Sequence, residues 1–353
     1  MFSMMSAEER QYLYDFAKEE YTGQGAIADL GCWLGASTTA IARGLQENND
    51  PKLRSTTIHA FDIFEWEPSM EFMVKGTPLQ HRFASGDNFL EEYLNQIAPW
   101  KDQVQVYAGD LTQFQWNNGA IEFLFVDAMK GWNLADSIVR IFFPALIPGK
   151  SIVFHQDFSY YGTYWIHLVM YRLRSYFQPV KDIPNSWGVA FRYEKPMPAE
   201  QLQATYDLRD FSIDEIDQAF EYSAQIVGEE KRSQIIGAKV KALFEAGEPQ
   251  RAHLTLHQAI ASHISDAELY LPLGLSFAAQ MMSYFSQPRE NEEPLKTQIQ
   301  SLQAALQQTD AQLKDAQIKV DQLHATINVM HRSKFWQLQQ KWTRLKRFLG
   351  LLY

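Results

Sequence analysis

The sequence is poor in the features that mark secreted, metal-stapled or membrane-spanning chains. Its 353 residues include one cysteine, Cys32. A single thiol closes no intramolecular disulfide and offers no zinc-binding spacing, and the reducing cytosol is the matching compartment. No run of about 18 consecutive apolar residues occurs, so no transmembrane helix is expected. The opening residues, MFSMMSAEERQYLYDF, carry acids where a secretion signal needs a basic start and an apolar stretch, so no signal is expected either. Basic residues do not predominate. The 32 Lys and Arg stand against 42 Asp and Glu, for a formal net charge of -10. That balance lacks the basic footprint of a nucleic-acid-binding domain, and no nucleic-acid partner is expected.

What remains is ordinary globular composition, 46% hydrophobic and 21% charged, in a chain long enough for two or three domains. Up to about residue 195, short apolar runs alternate with helical stretches. GAIADLG, TTIHAFDIF, VQVYAGD, IEFLFVDA and KSIVFHQDF read as buried strands. STTAIARGLQ, NFLEEYLNQIA and LADSIVRIFFPAL read as the helices between them. Strands alternating with helices predict an α/β fold, a Rossmann-like, doubly wound and mostly parallel sheet. WGVAFRYE reads as a late strand at an antiparallel edge.

Residues 196–290 have few strand signals and form an α-helical region. AKVKALFEAGEPQRAHLTLHQAIASH predicts two helices around a Gly-Glu-Pro turn, with Ala238, Leu243, Gly247, Ala252 and Ala259 in a pattern similar to a tetratricopeptide hairpin. A plain helical cap or spacer is the alternative, because one such repeat has no neighbours against which to bury its faces. Residues 294–331 predict a C-terminal coiled coil. Ile299, Leu306, Leu313, Val320 and Ile327 recur at position a, and Leu295, Leu302, Thr309, Ala316, Leu323 and Met330 at position d. A two-in-seven stripe is too narrow for a helix on a globular core, so a homo-oligomer, favouring two strands, is expected. A long helix folded back on the preceding region is the competing reading. Residues 332–353 carry no acid from Arg332 onward. Phe335, Leu338, Trp342, Leu345, Leu349 and Leu352 lie at three- and four-residue steps. A basic amphipathic tail of this kind suits contact with a membrane surface or a partner protein. The expected location is therefore cytoplasmic, peripheral on the inner face of the membrane.

The chemistry gathers at predicted strand ends. In AIADLGCWLGASTTAIARGL an apolar strand ends at Asp29, and Gly31, Gly35 and Ser37 lead into a helix, all four being candidate cofactor-binding residues. Glycine lets the chain turn sharply and lets a ligand approach bare backbone. The spacing is not that of the dinucleotide fingerprint, since Trp33 takes the place of its middle glycine. In IHAFDIFEW a strand ends at Asp62, where a carboxylate can accept both ribose hydroxyls of a bound nucleoside. Asp110 of VYAGDLTQF ends the third strand, on the adenine side. Asp127 ends the fully apolar FLFV run and needs a partner or a metal, with Lys130 three residues on as the candidate partner. The strand in IPGKSIVFHQDF ends in His155, Gln156 and Asp157. Asp127 and Asp157 come from neighbouring strands and could hold one Mg2+ ion, with Gln156 as a weaker third ligand, and the ion would lower the pKa of a hydroxyl. His155 could serve as general base, or could be a hydrogen-bonded residue behind the site. Tyr160, Tyr161, Tyr164, Trp165 and Trp187 offer flat rings for a sugar or for core packing.

The order of these motifs resembles the class I S-adenosylmethionine-dependent methyltransferases, and within them the macrocin O-methyltransferase type, which acts on sugar hydroxyls. AFDIFEW, VDAMKGW and PGKSIVFHQDF carry the resemblance, which extends to about Tyr193. It implies that Gly31, Gly35 and Ser37 flank the methionine part of S-adenosylmethionine, that Asp62 binds its ribose, and that Asp127 and Asp157 ligate Mg2+. The acceptor it implies is a saccharide or another small metabolite. Three residues depart from the pattern. Gln156 replaces the first of two paired acids, Lys130 stands where relatives often carry His, and Lys150 replaces the second glycine of the strand turn. Two other readings compete. One is a non-catalytic scaffold that recruits partners through the coiled coil and tail. The other is an NAD-dependent enzyme, which the missing middle glycine disfavours.

Overall fold

The computed structural model describes residues 3–261, together with 319, 341–343 and 346. The chain divides into two compact units, Met1–Met282 and Ser283–Tyr353. The coiled coil expected over 294–331 and the amphipathic tail expected over 332–353 lie outside the described residues, apart from those isolated positions. No helix among the described residues is long and apolar enough to cross a membrane.

In the first unit seven strands form one mixed sheet: β1 (Ala26–Leu30), β2 (Ile58–Asp62), β3 (Val104–Ala108), β4 (Ile121–Val126), β5 (Ile152–His155), β6 (Phe177–Asp182) and β7 (Val189–Tyr193). Their order is β3-β2-β1-β4-β5-β7-β6. The pairs from β3 across to β5 are parallel, and β7 runs antiparallel to both β5 and β6. The first five strands follow the order of a dinucleotide-binding sheet, whose ligand crevice opens where the chain reverses direction between β1 and β4. β7 is antiparallel, but it is not the edge strand that the sequence predicts. It is inserted between β5 and β6. The true edge, FQPVKD, escaped notice because Pro179, Lys181 and Asp182 give it no apolar pattern. Proline and lysine are the residues that blunt an exposed edge, and the register shifts between Pro179 and Lys181.

The α-helices among the described residues are α1 (Ala7–Asp15), α2 (Ala36–Gln46), α3 (Pro68–Met73), α4 (Leu90–Gln96), α5 (Trp132–Phe142), α6 (Tyr164–Leu173), α7 (Ala199–Leu202), α8 (Ile213–Ile226), α9 (Arg232–Glu245) and α10 (Pro249–Ala261). α1 starts on a capping box. Ser6 Oγ accepts from Glu9 N at 3.1 Å while Glu9 Oε2 accepts from Ser6 N at 2.8 Å, so two otherwise orphaned donors are satisfied. On one face, Leu13 and Phe16 of the α1 segment and Ile41 and Leu45 of α2 cluster with Ile27, Phe123, Phe125 and Phe154 of the sheet. On the other, α5 presents Ala135, Ile138, Val139 and Phe142 at helical spacing, and the Phe142 ring meets Phe61 edge-on at 5.3 Å. Strands covered on both faces need continuous apolar runs, and every residue of β4 is buried. The exception in that run, Glu122, is held by the N–H groups of Thr22 (2.8 Å) and Gln24 (2.7 Å) and by the Thr22 hydroxyl.

Beyond β7, α8 and α9 pack on α6, and α10 packs on α9. α9 ends where Gly247 takes φ +82°. The Gly247 and Glu248 N–H groups then bond back to Phe244 O and Leu243 O, closing the helix end before Pro249 opens α10.

Candidate functional site

All the strand-end residues singled out in the sequence lie along the carboxyl edge of the parallel strands, but they play unequal parts. The turn after β1 is shaped by close approach. Gly31 has φ +86°, and a Cβ there would stand 2.8 Å from the carbonyl carbon and oxygen of Asp127. The Gly31 N–H donates to Phe61 O at 2.8 Å, and the Asp127 N–H donates to Leu30 O at 2.8 Å, so the ends of β2, β1 and β4 are laced together. Gly35 (φ +81°) is the N-cap of α2, and a Cβ there would meet Ile97 at 2.6 Å. Between them Trp33 also has positive φ, 42°, with its ring buried near Trp66. A non-glycine residue in this region costs on the order of 1 kcal/mol. Here the Trp33 N–H finds a compensating partner in Asp62 Oδ2 at 2.9 Å.

Asp29 and Ser37 are corrected from cofactor contacts to supports of the turn. The Asp29 carboxylate is fully buried and accepts from Ser37 Oγ at 3.0 and 2.9 Å and from Thr38 Oγ1 at 2.7 Å. Burial pushes its pKa up to about 6, against the opposing effect of those hydroxyls. Ser37 is itself buried. The pair therefore ties the end of β1 to the first turn of α2.

Asp62 is placed differently. It is half-buried at the end of β2 and accepts from Trp33 N through Oδ2 and from Phe64 N through Oδ1 at 2.8 Å. Burial raises its carboxyl above the usual range, and the Phe64 and Trp33 N–H groups limit the rise. Each oxygen holds one backbone bond and keeps capacity for another donor. Gly109 N donates to Asp62 O at 2.9 Å, which brings Asp110 to the same edge. The Asp110 side chain is exposed and caps the short turn Leu111–Gln113 through Thr112 N at 2.9 Å. The two acceptor oxygens on Asp62 and the exposed apolar Ile63 beside it fit the ribose and adenine of a nucleoside cofactor.

Asp127, Lys130, Gln156 and Asp157 converge at the ends of β4 and β5. Lys130 Nζ lies 2.5 Å from Asp127 Oδ1 and also bonds Asp157 Oδ2. The Gln156 amide, turned as the acceptors around it require, donates to Asp127 Oδ1 at 3.2 Å and to Asp157 Oδ1 at 2.7 Å. Partial desolvation pulls the Lys130 ammonium down, but the two carboxylates more than reverse this and hold it above its ordinary value. These residues do not fit the expected Mg2+ ion. An ammonium already stands between the two acids, and Gln156 turns a donor rather than an acceptor toward them. Among the described residues no group of three or more His, Cys, Asp or Glu is arranged to hold a metal.

His155 is the second correction. Its ring is fully buried against Phe191, edge to face at 5.9 Å, and neither ring nitrogen has a hydrogen-bond partner. Burial lowers its pKa to about 3. A general base must reach the proton it takes, and this ring is part of the core. The aromatic residues divide similarly. Tyr164 is buried and donates to Glu245 at 2.6 Å. Trp165 Nε1 donates to Met129 O at 2.7 Å, holding the turn that carries Lys130. Trp187 is 40% exposed and rests on Tyr160 at 4.6 Å.

Sequence reasoning gave no sign of a cavity of about 490 Å3 that reaches Gln156 from the side of α1, bounded by Met5, Glu9, Ser186, Trp187 and Gln234. Glu9 Oε1 and Gln234 Oε1 are buried there without a hydrogen-bond partner. The lining cation, Lys231, is committed to Asp182 and to Ile183 O. The capping-box spacing Ser6-x-x-Glu9 marks a helix start, and nothing local marks Glu9 as the wall of a cavity 147 positions from Gln156 in the sequence.

No curated protein matches this chain. Among solved structures, the O-methyltransferase NovP is similar over 55% of this chain and 83% of its own, at 16% identity and a TM-score of 0.43. The calicheamicin methyltransferase CalS11 is similar over 53% and 77%, at 15% identity and a TM-score of 0.36. Residues 28–156, from within β1 to just past β5, match the family model described as a methyltransferase domain. Over that segment the chain is similar to a methyltransferase domain.

Proposed function

We propose that the protein is an O-methyltransferase whose acceptor is a hydroxyl of a saccharide or a similar small polyhydroxylated metabolite. The observation that carries this reading is Asp62, half-buried at the end of β2 and held by the backbone of the β1 turn with acceptor capacity to spare. When bound, S-adenosylmethionine supplies a methyl group on a sulfonium, and the electrons of the broken C–S bond stay on sulfur. Asp62 accepts the ribose hydroxyls. The acceptor approaches through the cavity at Gln156, where buried acceptor atoms on Glu9 and Gln234 require donors and the exposed face of Trp187 suits a ring. Asp127 takes the hydroxyl proton as the new C–O bond forms. Both of its hydrogen bonds fall on Oδ1, which leaves Oδ2 to receive that proton. Alignment of the two reactants supplies most of the remaining acceleration.

We also propose, from the heptads and the basic tail, that residues 294–331 join copies of the chain and that 332–353 touch a membrane surface. Radiolabelled methyl transfer to a panel of neutral and amino sugars, with EDTA present, tests the catalytic reading. Label should appear in at least one acceptor and vanish in Asp62→Ala. Binding of S-adenosylhomocysteine without transfer to any hydroxyl compound would leave the domain a cofactor-binding module and contradict O-methyl transfer.

A further inference from the structure

We propose that Lys130 is a built-in cation that replaces a divalent metal between Asp127 and Asp157, so that the site excludes metal and uses the lysine ammonium to hold the acceptor oxygen. Three features carry this. The first is occupancy. The ammonium bonds both carboxylates at once, and the Gln156 amide donates to the same Asp127 Oδ1 and to Asp157 Oδ1. A divalent ion would have to displace one positive charge and turn the amide over, because Gln156 now presents donors where a metal needs oxygen lone pairs.

The second is that the lysine is placed from outside the cluster. Its turn is fixed by Lys130 N donating to Ala128 O at 2.9 Å and by Trp165 Nε1 donating to Met129 O. The geometry therefore belongs to the fold rather than to the ion pair alone. The third is access. The Asp127 and Asp157 side chains are 15% and 10% exposed, whereas the Lys130 side chain is 51% exposed. An ammonium has three N–H donors. Two go to the carboxylates, and the third is free to meet an oxygen arriving from solvent. A compact, strongly hydrated point charge of this kind stabilises developing negative charge as a metal does, but by donating a hydrogen bond instead of accepting a lone pair. The acceptor-holding role rests on the proposed O-methyl transfer. The exclusion of metal does not.

Mn2+ titration of the full-length protein, followed by electron paramagnetic resonance and by calorimetry, tests it. Wild type should bind no Mn2+ at the cluster up to millimolar concentration. Lys130→Gln, with Lys130→Met as a second variant in case one folds poorly, should gain one site at least tenfold tighter than any in wild type. Adding Asp157→Asn should abolish that site. A wild-type site that disappears in Asp127→Asn overturns the proposal, and so do folded Lys130 variants that still bind no Mn2+. Titrating wild type with S-adenosylhomocysteine in the same buffers separates the two ideas. Cofactor binding together with a wild-type Mn2+ site sinks the lysine alone, whereas no cofactor binding sinks the proposed function and leaves the Mn2+ result to decide the lysine.

Discussion

Asp62 Oδ2 accepts the Trp33 N–H at 2.9 Å, so the carboxylate at the end of β2 also steadies the residue that breaks the dinucleotide glycine pattern after β1. One side chain thus shapes the turn and faces the ligand crevice. Asp62→Ala should weaken S-adenosylhomocysteine by ten- to a hundredfold, about the 1.5–3 kcal/mol of a charged hydrogen bond, and should also lower the melting temperature. Calorimetric titration beside a thermal melt checks both. A loss of affinity with no loss of stability would mean that the Trp33 contact carries no weight.

Gly31 makes a sharper case. A Cβ at this position meets the Asp127 backbone at 2.8 Å with φ +86°. Gly119 has φ +80° but open space around it. Gly31→Ala should therefore destabilise the fold by roughly 2 kcal/mol or more, while Gly119→Ala pays only the conformational cost of about 1 kcal/mol. Chemical denaturation of the two variants should rank them in that order, and equal losses would show that the close approach is not what selects glycine.

Ser37 separates support from contact. If its hydroxyl serves Asp29, Ser37→Ala leaves a buried carboxylate short of a donor, and unfolding should become easier by about 1–3 kcal/mol. Affinity for S-adenosylhomocysteine should stay within a few-fold of wild type. A hundredfold loss of affinity in a stably folded variant would restore Ser37 as a direct cofactor ligand.

These assignments show which parts of the site the sequence could reveal. The Gly31–Gly35 turn and Asp62 were legible because strand-turn-helix chemistry is local. So was the pairing of Asp127 with Lys130, three residues apart. The reach of Lys130 to Asp157, 27 positions on, was not legible, since it depends on β4 and β5 lying side by side with their ends level. His155 was misread for a related reason. In a strand buried on both faces there is no alternation of apolar and polar residues to say which way a side chain turns. β6 was missed because an edge strand carrying Pro179, Lys181 and Asp182 has the composition of a loop.

Glu9 gives the stability of the protein a pH signature. Burial raises its carboxyl from the ordinary 4.5 to about 7, against a backbone bond from Ser6. Between those two values the folded state binds more protons than the unfolded state, so stability falls as pH rises through the window, by up to roughly 3 kcal/mol. Glu9→Gln keeps the capping box and removes the charge. Melts at pH 5 and pH 8 should differ less in this variant than in wild type, with the gain confined to the higher pH. An unchanged difference would show that Glu9 is not the group responsible.

Calorimetric titration of the full-length protein with S-adenosylhomocysteine in EDTA tests the central claim most directly. The account predicts one site per chain with a dissociation constant of roughly micromolar order, near -8 kcal/mol, unchanged when Mg2+ replaces EDTA. Absence of binding in both buffers would contradict the reading of the Asp62 crevice as a cofactor site, and binding that appears only with Mg2+ would contradict a cluster closed by Lys130.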